Sequence, residues 1–214
     1  MASSITASSG ITITTTAIDS TGADLLVVVT SGFVPNGVPV ISSDSNGNTW
    51  QTDGPSNGVG NTYGFFYYVI NPVVGSGHTV SLSGSRFYTT TVLAYSGSDK
   101  ISNVHKQNSN NFLGVTASLS TNSITPSVNG CLIIAGTMAG GASWGTVTVD
   151  SSLVVQQQLA DSINISDAAA DYSQSGIAAI NPTFSYSANA TNPVALIAAF
   201  KPAIPIRLMG QILL

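Results

Sequence analysis

The sequence predicts an all-β protein: an antiparallel β-sandwich of jelly-roll or Ig-like type, with an internal duplication and an extended C-terminal tail. Short aliphatic runs are bounded by turn-forming residues, and other segments alternate apolar with polar side chains. The chain also holds 21 Gly, and its polar residues are mostly Ser, Thr and Asn. Those three polar types favour strands and turns over helix interiors, because their side chains compete for backbone hydrogen bonds.

The composition of the chain indicates which kinds of binding partner are expected. The 214 residues suffice for one large β-domain or two small ones. Only 7% of them are charged, compared with about 25% in typical soluble domains, and the net charge is −4. Because no basic stripe is present, nucleic acid is not an expected partner. No stretch approaches the ~20 apolar residues of a membrane-spanning helix, so a membrane is not expected either.

The expected location follows from the amino terminus and the surface together. Residues 1–17 have neither a basic start nor a continuous apolar core, so the sequence as written predicts no secretory signal peptide. A surface with so little charge suits a protein held in an assembly or exposed outside the cell. A virion protein, assembled in the host cytoplasm and exposed after lysis, reconciles both observations. The alternative location is extracellular.

The first half, residues 1–100, is predicted as one sandwich half centred on Leu25–Val29. These five consecutive aliphatic residues predict a strand buried on both faces. Residues 62–70, TYGFFYYVI, carry apolar side chains on both faces of a strand and should likewise be covered on both sides. The dipeptide Asn46-Gly47 predicts a hairpin turn, after which Trp50 would begin the returning strand.

The second half, residues 115–201, is predicted to repeat the strand pattern of the first. Leu132 matches Leu25, residues 183–187 match 79–83, and residues 194–200 match 89–95, all at nearly constant offsets of about 104–107 residues. Three matches in the same order predict an internal duplication. The single Cys131 lies in the second aliphatic run and is predicted to be a buried small hydrophobe, with no intrachain disulfide.

Two further segments have a distinct character. The polar residues 101–114 are predicted as a linker or crossover between the halves. The segment Asp167–Asp171, with three alanines between the acids, has a helix-like composition and predicts one short helix or a loop.

The C-terminal tail, residues 202–214, lies outside the repeat. Pro202 and Pro205 interrupt any continuing strand. Two interpretations stay open: the tail folds back as a last strand, or it reaches a neighbouring subunit and fills a groove there. Its apolar residues are the interface candidates: Ile204, Ile206, Leu208, Met209, Ile212, Leu213 and Leu214.

No catalytic, cofactor-binding or metal-binding residue is predicted. No Gly-x-Ser-x-Gly lies between a strand and a helix. His78 and His105 are expected as solvated turn residues, and two histidines without a cysteine pair do not predict a zinc site. All nine acids are Asp, most of them beside predicted turns, where capping explains them better than a glycosidase pair. Residues 44–48 resemble the opening of a calcium loop but lack its later Gly and Glu, which favours a hairpin turn.

Trp50, Trp144 and the aromatic run from Tyr63 to Tyr68 are the candidates for stacking on a ligand. An aromatic ring offers a flat apolar face to a sugar, whereas the competing interpretation is that these side chains pack in the sandwich core and pair along the strand.

The segments ADLLVVVTSG, DSNGNTWQ, GHTVSLSG and YTTTVLAYSG together resemble β-sandwich modules of phage virion structural proteins, of the decoration or cement type, and of secreted bacterial surface proteins. The resemblance covers most of residues 5–100 and, less closely, 115–200. It transfers no catalytic residue and implies a structural or adhesive module rather than an enzyme.

Two functions are therefore expected from the sequence. The first is a non-enzymatic structural protein of a tailed-phage virion: a capsid decoration protein or another head or tail surface component. Its partners would be further copies of itself, the major capsid protein or other virion proteins. The alternative is an extracellular carbohydrate-binding or adhesive module, whose partner would be a surface glycan.

Overall fold

The computed structural model describes residues 1–8, 10–33, 38–84, 86–102, 104–140, 144–160 and 165–203. Within these residues every regular element is a β-strand, and all paired strands run antiparallel. The predicted all-β, antiparallel fold class is thereby confirmed.

The described residues form fifteen strands. In chain order they are β1 (Ala2–Ser8), β2 (Thr12–Thr14), β3 (Leu25–Phe33), β4 (Val40–Asp44), β5 (Ser56–Val59), β6 (Thr62–Ile70), β7 (Val80–Ser83), β8 (Arg86–Tyr95), β9 (Lys106–Asn111), β10 (Val115–Ser120), β11 (Cys131–Gly140), β12 (Val147–Val149), β13 (Val154–Ala160), β14 (Ile165–Gln174) and β15 (Thr183–Phe200).

The first half is a sandwich of two sheets. Its inner sheet has the strand order β1-β8-β3-β6-β5, and its outer sheet has the order β2-β7-β4. Leu26 and Val28 of β3 point from the inner sheet into the layer between them, where they join Ile13 and Leu82 of the outer sheet. This layer is the core of the first half, because its members are all buried.

The second half is also a sandwich, but one long strand serves both of its sheets. The end of β15, Val194–Phe200, pairs with β9 and β11 in the inner sheet, which continues through β14 to β13. The beginning of β15, Thr183–Tyr186, pairs with β10 and β12 in the outer sheet. Phe184 of this outer part packs against Ile133 of β11 in the core between the two sheets.

The inner sheets of the two halves pack face to face. Leu25, Val27 and Val29 of β3 share one apolar cluster with Ile134 of β11 and Leu196 of β15, and all five are 0% exposed. The strand β3 is therefore covered on both faces, which confirms the prediction for Leu25–Val29. The prediction for residues 62–70 is confirmed in the same way, because alternate residues of β6 contribute to the two clusters on either side of the inner sheet.

The two halves have corresponding strand orders. In the first half Leu25 of β3 pairs with Ile70 and Tyr95, and in the second half Leu132 of β11 pairs with Ser173 and Phe200. The outer sheets correspond as well, since β2-β7-β4 matches β10-β15-β12. A common strand order is a property of the fold, and the duplication itself stays a prediction.

The prediction of a short helix or loop at Asp167–Asp171 is wrong. These residues lie in the middle of β14, which pairs with β11 on one side and β13 on the other. The alanines 168–170 are 0% exposed, because each face of β14 packs against another sheet. Tertiary packing thus overrides the helix propensity of alanine, whose small side chain allows the sheets to approach closely.

Two other local predictions need correction. The stretch predicted as a linker contains β9, which pairs with β15 at the edge of the second inner sheet. The turn at Asn46-Gly47 is present, with Gly47 at a φ of 76°, but it does not open a hairpin. After the turn the chain crosses between sheets instead, because Gln51 exchanges backbone hydrogen bonds with Tyr68 of the inner sheet.

Candidate functional site

A groove of about 540 Å³ opens at one edge of the first sandwich. One wall is β4 of the outer sheet, and the other is the stretch Phe65–Tyr67 of β6 in the inner sheet. The crossing segment contributes Trp50, Thr52 and Gly54. We call this the Trp50 groove.

The groove is open because β5 is short. It spans four residues and pairs only with Thr62–Phe65, whereas its counterpart β13 spans seven and follows β14 as far as Asp171. Beyond β5, the edge of β6 is met by the irregular crossing segment, where Gln51 N donates to Tyr68 O and Pro55 O accepts from Phe66 N. Gly54 is required there, since a Cβ at this position would collide with the backbone oxygen of Phe66.

The indole ring of Trp50 is half-buried at the groove and is held by Asp44. Its Nε1 donates a 2.9 Å hydrogen bond to Asp44 Oδ2. The other carboxylate oxygen, Oδ1, accepts from the backbone nitrogens of Asn46 and Asn48 at 2.8 and 3.3 Å, and from Asn48 Nδ2 at 3.2 Å. Asp44 therefore fixes both the turn and the ring that follows it.

Behind Asp44 lies a buried histidine. His78 Nε2 is 3.0 Å from Asp44 Oδ2, and His78 Nδ1 is 2.9 Å from Ser20 Oγ. The exposed fraction is 2% for His78 and 1% for Ser20, so the expectation that His78 is a solvated turn residue is wrong. Although burial by itself acts in the opposite direction, hydrogen bonds from His78, Asn46 and Asn48 hold the pKa of Asp44 below its ordinary value.

The Ser20–His78–Asp44 set has the residue types of a nucleophilic triad, but its geometry is that of a structural network. Ser20 Oγ accepts a hydrogen bond from Gly75 N at 3.0 Å and also lies 3.1 Å from Gly75 O. The Ser20 hydroxyl is thus buried and hydrogen-bonded to His78 and Gly75, whereas a nucleophilic hydroxyl has to be accessible to its substrate. We assign these residues the role of positioning Trp50.

This network was missed from the sequence because its members are far apart along the chain. A comparison of the two halves shows one feature that could have pointed to His78. The Ile18–His78 bridge in the first half corresponds to an Ile124–Ile180 bridge in the second, so a histidine occupies a position where the other half has an apolar residue.

Aromatic rings continue from the groove along β6. Tyr63, Phe65 and Tyr67 lie on one face, with ring centroids 6.4 and 6.2 Å apart and nearly parallel planes. The Tyr67 hydroxyl donates to the backbone oxygen of Pro39, which ties β6 to the residue before β4. Burial raises the pKa of Tyr67 to about 12, so this hydroxyl keeps its proton at physiological pH.

The second stacking candidate, Trp144, does not form a ligand platform. It is 2% exposed and belongs to the core of the second half. Its ring is stacked on Tyr186 at a centroid distance of 5.3 Å, so core packing is the correct interpretation for this residue. Of the two tryptophans, it is Trp50 that lines the groove described above.

The interface candidates of the tail, Ile204, Ile206, Leu208, Met209, Ile212, Leu213 and Leu214, lie outside the described residues. The chain just before them returns to the first half. Pro202 forms a bridge with Ser98, and Ala203 N donates to Gly97 O at 2.8 Å.

No protein-family model, curated protein or solved structure matches the chain. In the described part of the chain, no helix is long and apolar enough to cross a membrane, and no three His, Cys or Asp side chains are grouped so as to hold a metal ion.

Proposed function

We propose that the chain is a non-enzymatic structural protein of a tailed-phage virion, a capsid decoration protein or another head or tail surface component. The observation that supports this most directly is the apolar layer that the two sandwiches share. Val27, Val29 and Ile134 lie in this layer, which packs one half against the other.

The chemistry of the surface supports the same role. The chain has five basic and nine acidic residues in 214, so its exterior carries few charged groups. Such an exterior suits contacts with further copies of the chain or with a capsid protein, where few charges need to be desolvated. The corresponding location is the virion, with assembly in the host cytoplasm.

Removal of residues 204–214 tests this proposal. The truncated chain should retain its thermal midpoint but lose oligomerisation, measured by light scattering, and binding to particles that lack the protein, measured by co-sedimentation. A matched control replaces Ile204, Ile206 and Leu208 with Ser at unchanged length and should lose the same contacts. Assembly that survives both changes contradicts the interpretation in which the tail reaches a neighbouring subunit.

A second function, an extracellular carbohydrate-binding or adhesive module, is favoured by the Trp50 groove. The groove presents an indole ring that the protein holds in place, beside exposed hydroxyl groups. A glycan array should detect binding to the full chain, and Trp50→Ala should abolish it. The absence of any glycan signal would contradict this second function.

A further inference from the structure

The contents of the Trp50 groove indicate a class of ligand, an inference that rests on the carbohydrate-binding function proposed above. Its aromatic part is Trp50 together with Phe65, both half-buried. The flat apolar face of an aromatic ring can pack against the C–H face of a sugar ring, whether or not the sugar carries a charge. Because Asp44 already holds the indole, little conformational freedom would be lost when a ligand binds.

The charge of the groove excludes one group of saccharides. Among the described residues that line it, Asp44 is the single group that is charged at neutral pH, and no Lys or Arg is present. An acidic sugar would therefore find no cation to pair with, and the negative charge of the enclosed Asp44 would repel it at a distance. Anionic glycans, which carry carboxylate or sulfate groups, are disfavoured.

Asp44 is not available to a cation either. Its Oδ1 accepts three hydrogen bonds, and its Oδ2 is shared between Trp50 Nε1 and His78 Nε2. Its side chain is 1% exposed. Both oxygens are therefore engaged inside the protein, and the groove has no carboxylate to offer to an amino sugar or a metal ion.

The remaining polar groups of the groove match neutral sugars. Ser43, Thr49, Thr52 and Ser56 line it and are exposed. A hydroxyl both donates and accepts hydrogen bonds, as do the hydroxyls of a sugar. The volume of about 540 Å³ lies within the range of about 300–1,000 Å³ that is typical of small-molecule sites, and it suits a short oligosaccharide.

We propose that the Trp50 groove binds an uncharged saccharide chain, with one sugar ring packed on the indole of Trp50 and the neighbouring hydroxyls bonded to the serines and threonines of the rim. The test compares the full chain on neutral glycans, such as glucans, mannans and galactans, with acidic ones that carry uronate, sialate or sulfate groups. Neutral glycans should bind, and acidic ones should bind at least tenfold more weakly.

Three variants test whether the glycan binds in the Trp50 groove. Trp50→Ala should weaken binding of the best neutral glycan at least tenfold in calorimetry. Trp50→Phe keeps a ring but loses the bond to Asp44, and it should weaken binding severalfold while the protein stays folded. Phe112→Ala removes an exposed aromatic ring outside the groove and should leave affinity unchanged.

The possible outcomes distinguish the preference for neutral sugars from the carbohydrate-binding function on which it rests. Binding confined to acidic glycans would overturn the neutral class while leaving a carbohydrate-binding function in place. No binding to either set would overturn both. Neutral binding that is unchanged in Trp50→Ala and Trp50→Phe would overturn the assignment to this groove.

Discussion

Asp167 places a carboxyl group in the interior of the protein. It is 0% exposed and faces β8 across the layer between the halves. Its Oδ2 accepts a 3.2 Å hydrogen bond from Thr91 Oγ1, while its Oδ1 has no hydrogen-bond partner among the described residues. Burial raises the pKa of Asp167 well above its ordinary value, so the neutral carboxyl is the form that the fold favours.

Asp167 should therefore make the protein less stable as the pH rises. The folded state retains this proton at pH values where the unfolded chain has lost it, that is, from about pH 4 upward. The free energy of unfolding then falls between the ordinary carboxyl pKa and the raised pKa of the folded state. Asp167→Asn, which is neutral at every pH, should increase it by about 1–3 kcal/mol at pH 8 and have little effect near pH 4.

Chemical denaturation at a series of pH values measures this effect. Asp19→Asn is the control, because Asp19 is a turn residue whose hydrogen bonds with Thr21 lower its pKa, out of the window concerned. A slope of stability against pH that is the same in Asp167→Asn as in the unchanged protein would contradict the prediction.

At the scale of elements, β3 has two chemically similar faces with different neighbours. Val27 faces the second half, whereas Val28 faces the outer sheet of the first half, and both are 0% exposed. Val27→Ala and Val28→Ala should each lower the free energy of unfolding by about 1–3 kcal/mol, because each leaves a small cavity.

Hydrogen exchange should distinguish the two substitutions. Val27→Ala should accelerate exchange in β11 of the second half, whose Ile134 and Met138 belong to the same apolar cluster as Val27. Val28→Ala should accelerate exchange in β2 and β7 of the outer sheet. Identical exchange patterns in the two variants would contradict the arrangement of layers described above.

The elements that the sequence predicted well are those in which pattern and burial agree. Leu25–Val29 and the aromatic strand β6 are apolar on both faces and are covered on both faces. The predictions that are wrong have physical causes. The alanines of β14 have a high helix propensity, but packing between two sheets overrides it. The turn at Asn46-Gly47 does not lead into a hairpin, because Gln51 pairs with Tyr68 of a distant strand. In the candidate site Trp50 was predicted, but Asp44 and His78 meet only through tertiary contacts.

At the scale of the whole molecule, the two halves depend on each other. Separation would expose Leu25, Val27, Val29 and Phe66 of the first half to water, all at most 2% exposed in the full chain. A contiguous apolar face of this kind promotes association rather than a stable monomer. We therefore expect residues 1–100, expressed alone, to aggregate or to stay unfolded.

Mixing of fragments checks this expectation. Residues 1–100 and 101–214, refolded together, should recover the circular dichroism and the cooperative thermal transition of the intact protein. A monomeric 1–100 fragment that unfolds cooperatively by itself would show that the shared core is dispensable.

The two halves also differ in how their sheets are joined. In the second half β15 runs through both sheets, so one continuous strand links them. In the first half the corresponding strands are separate, since β7 ends at Ser83 and β8 begins at Arg86. The walls of the Trp50 groove are therefore held together by bonds such as that from the Tyr67 hydroxyl to Pro39, and not by a shared strand.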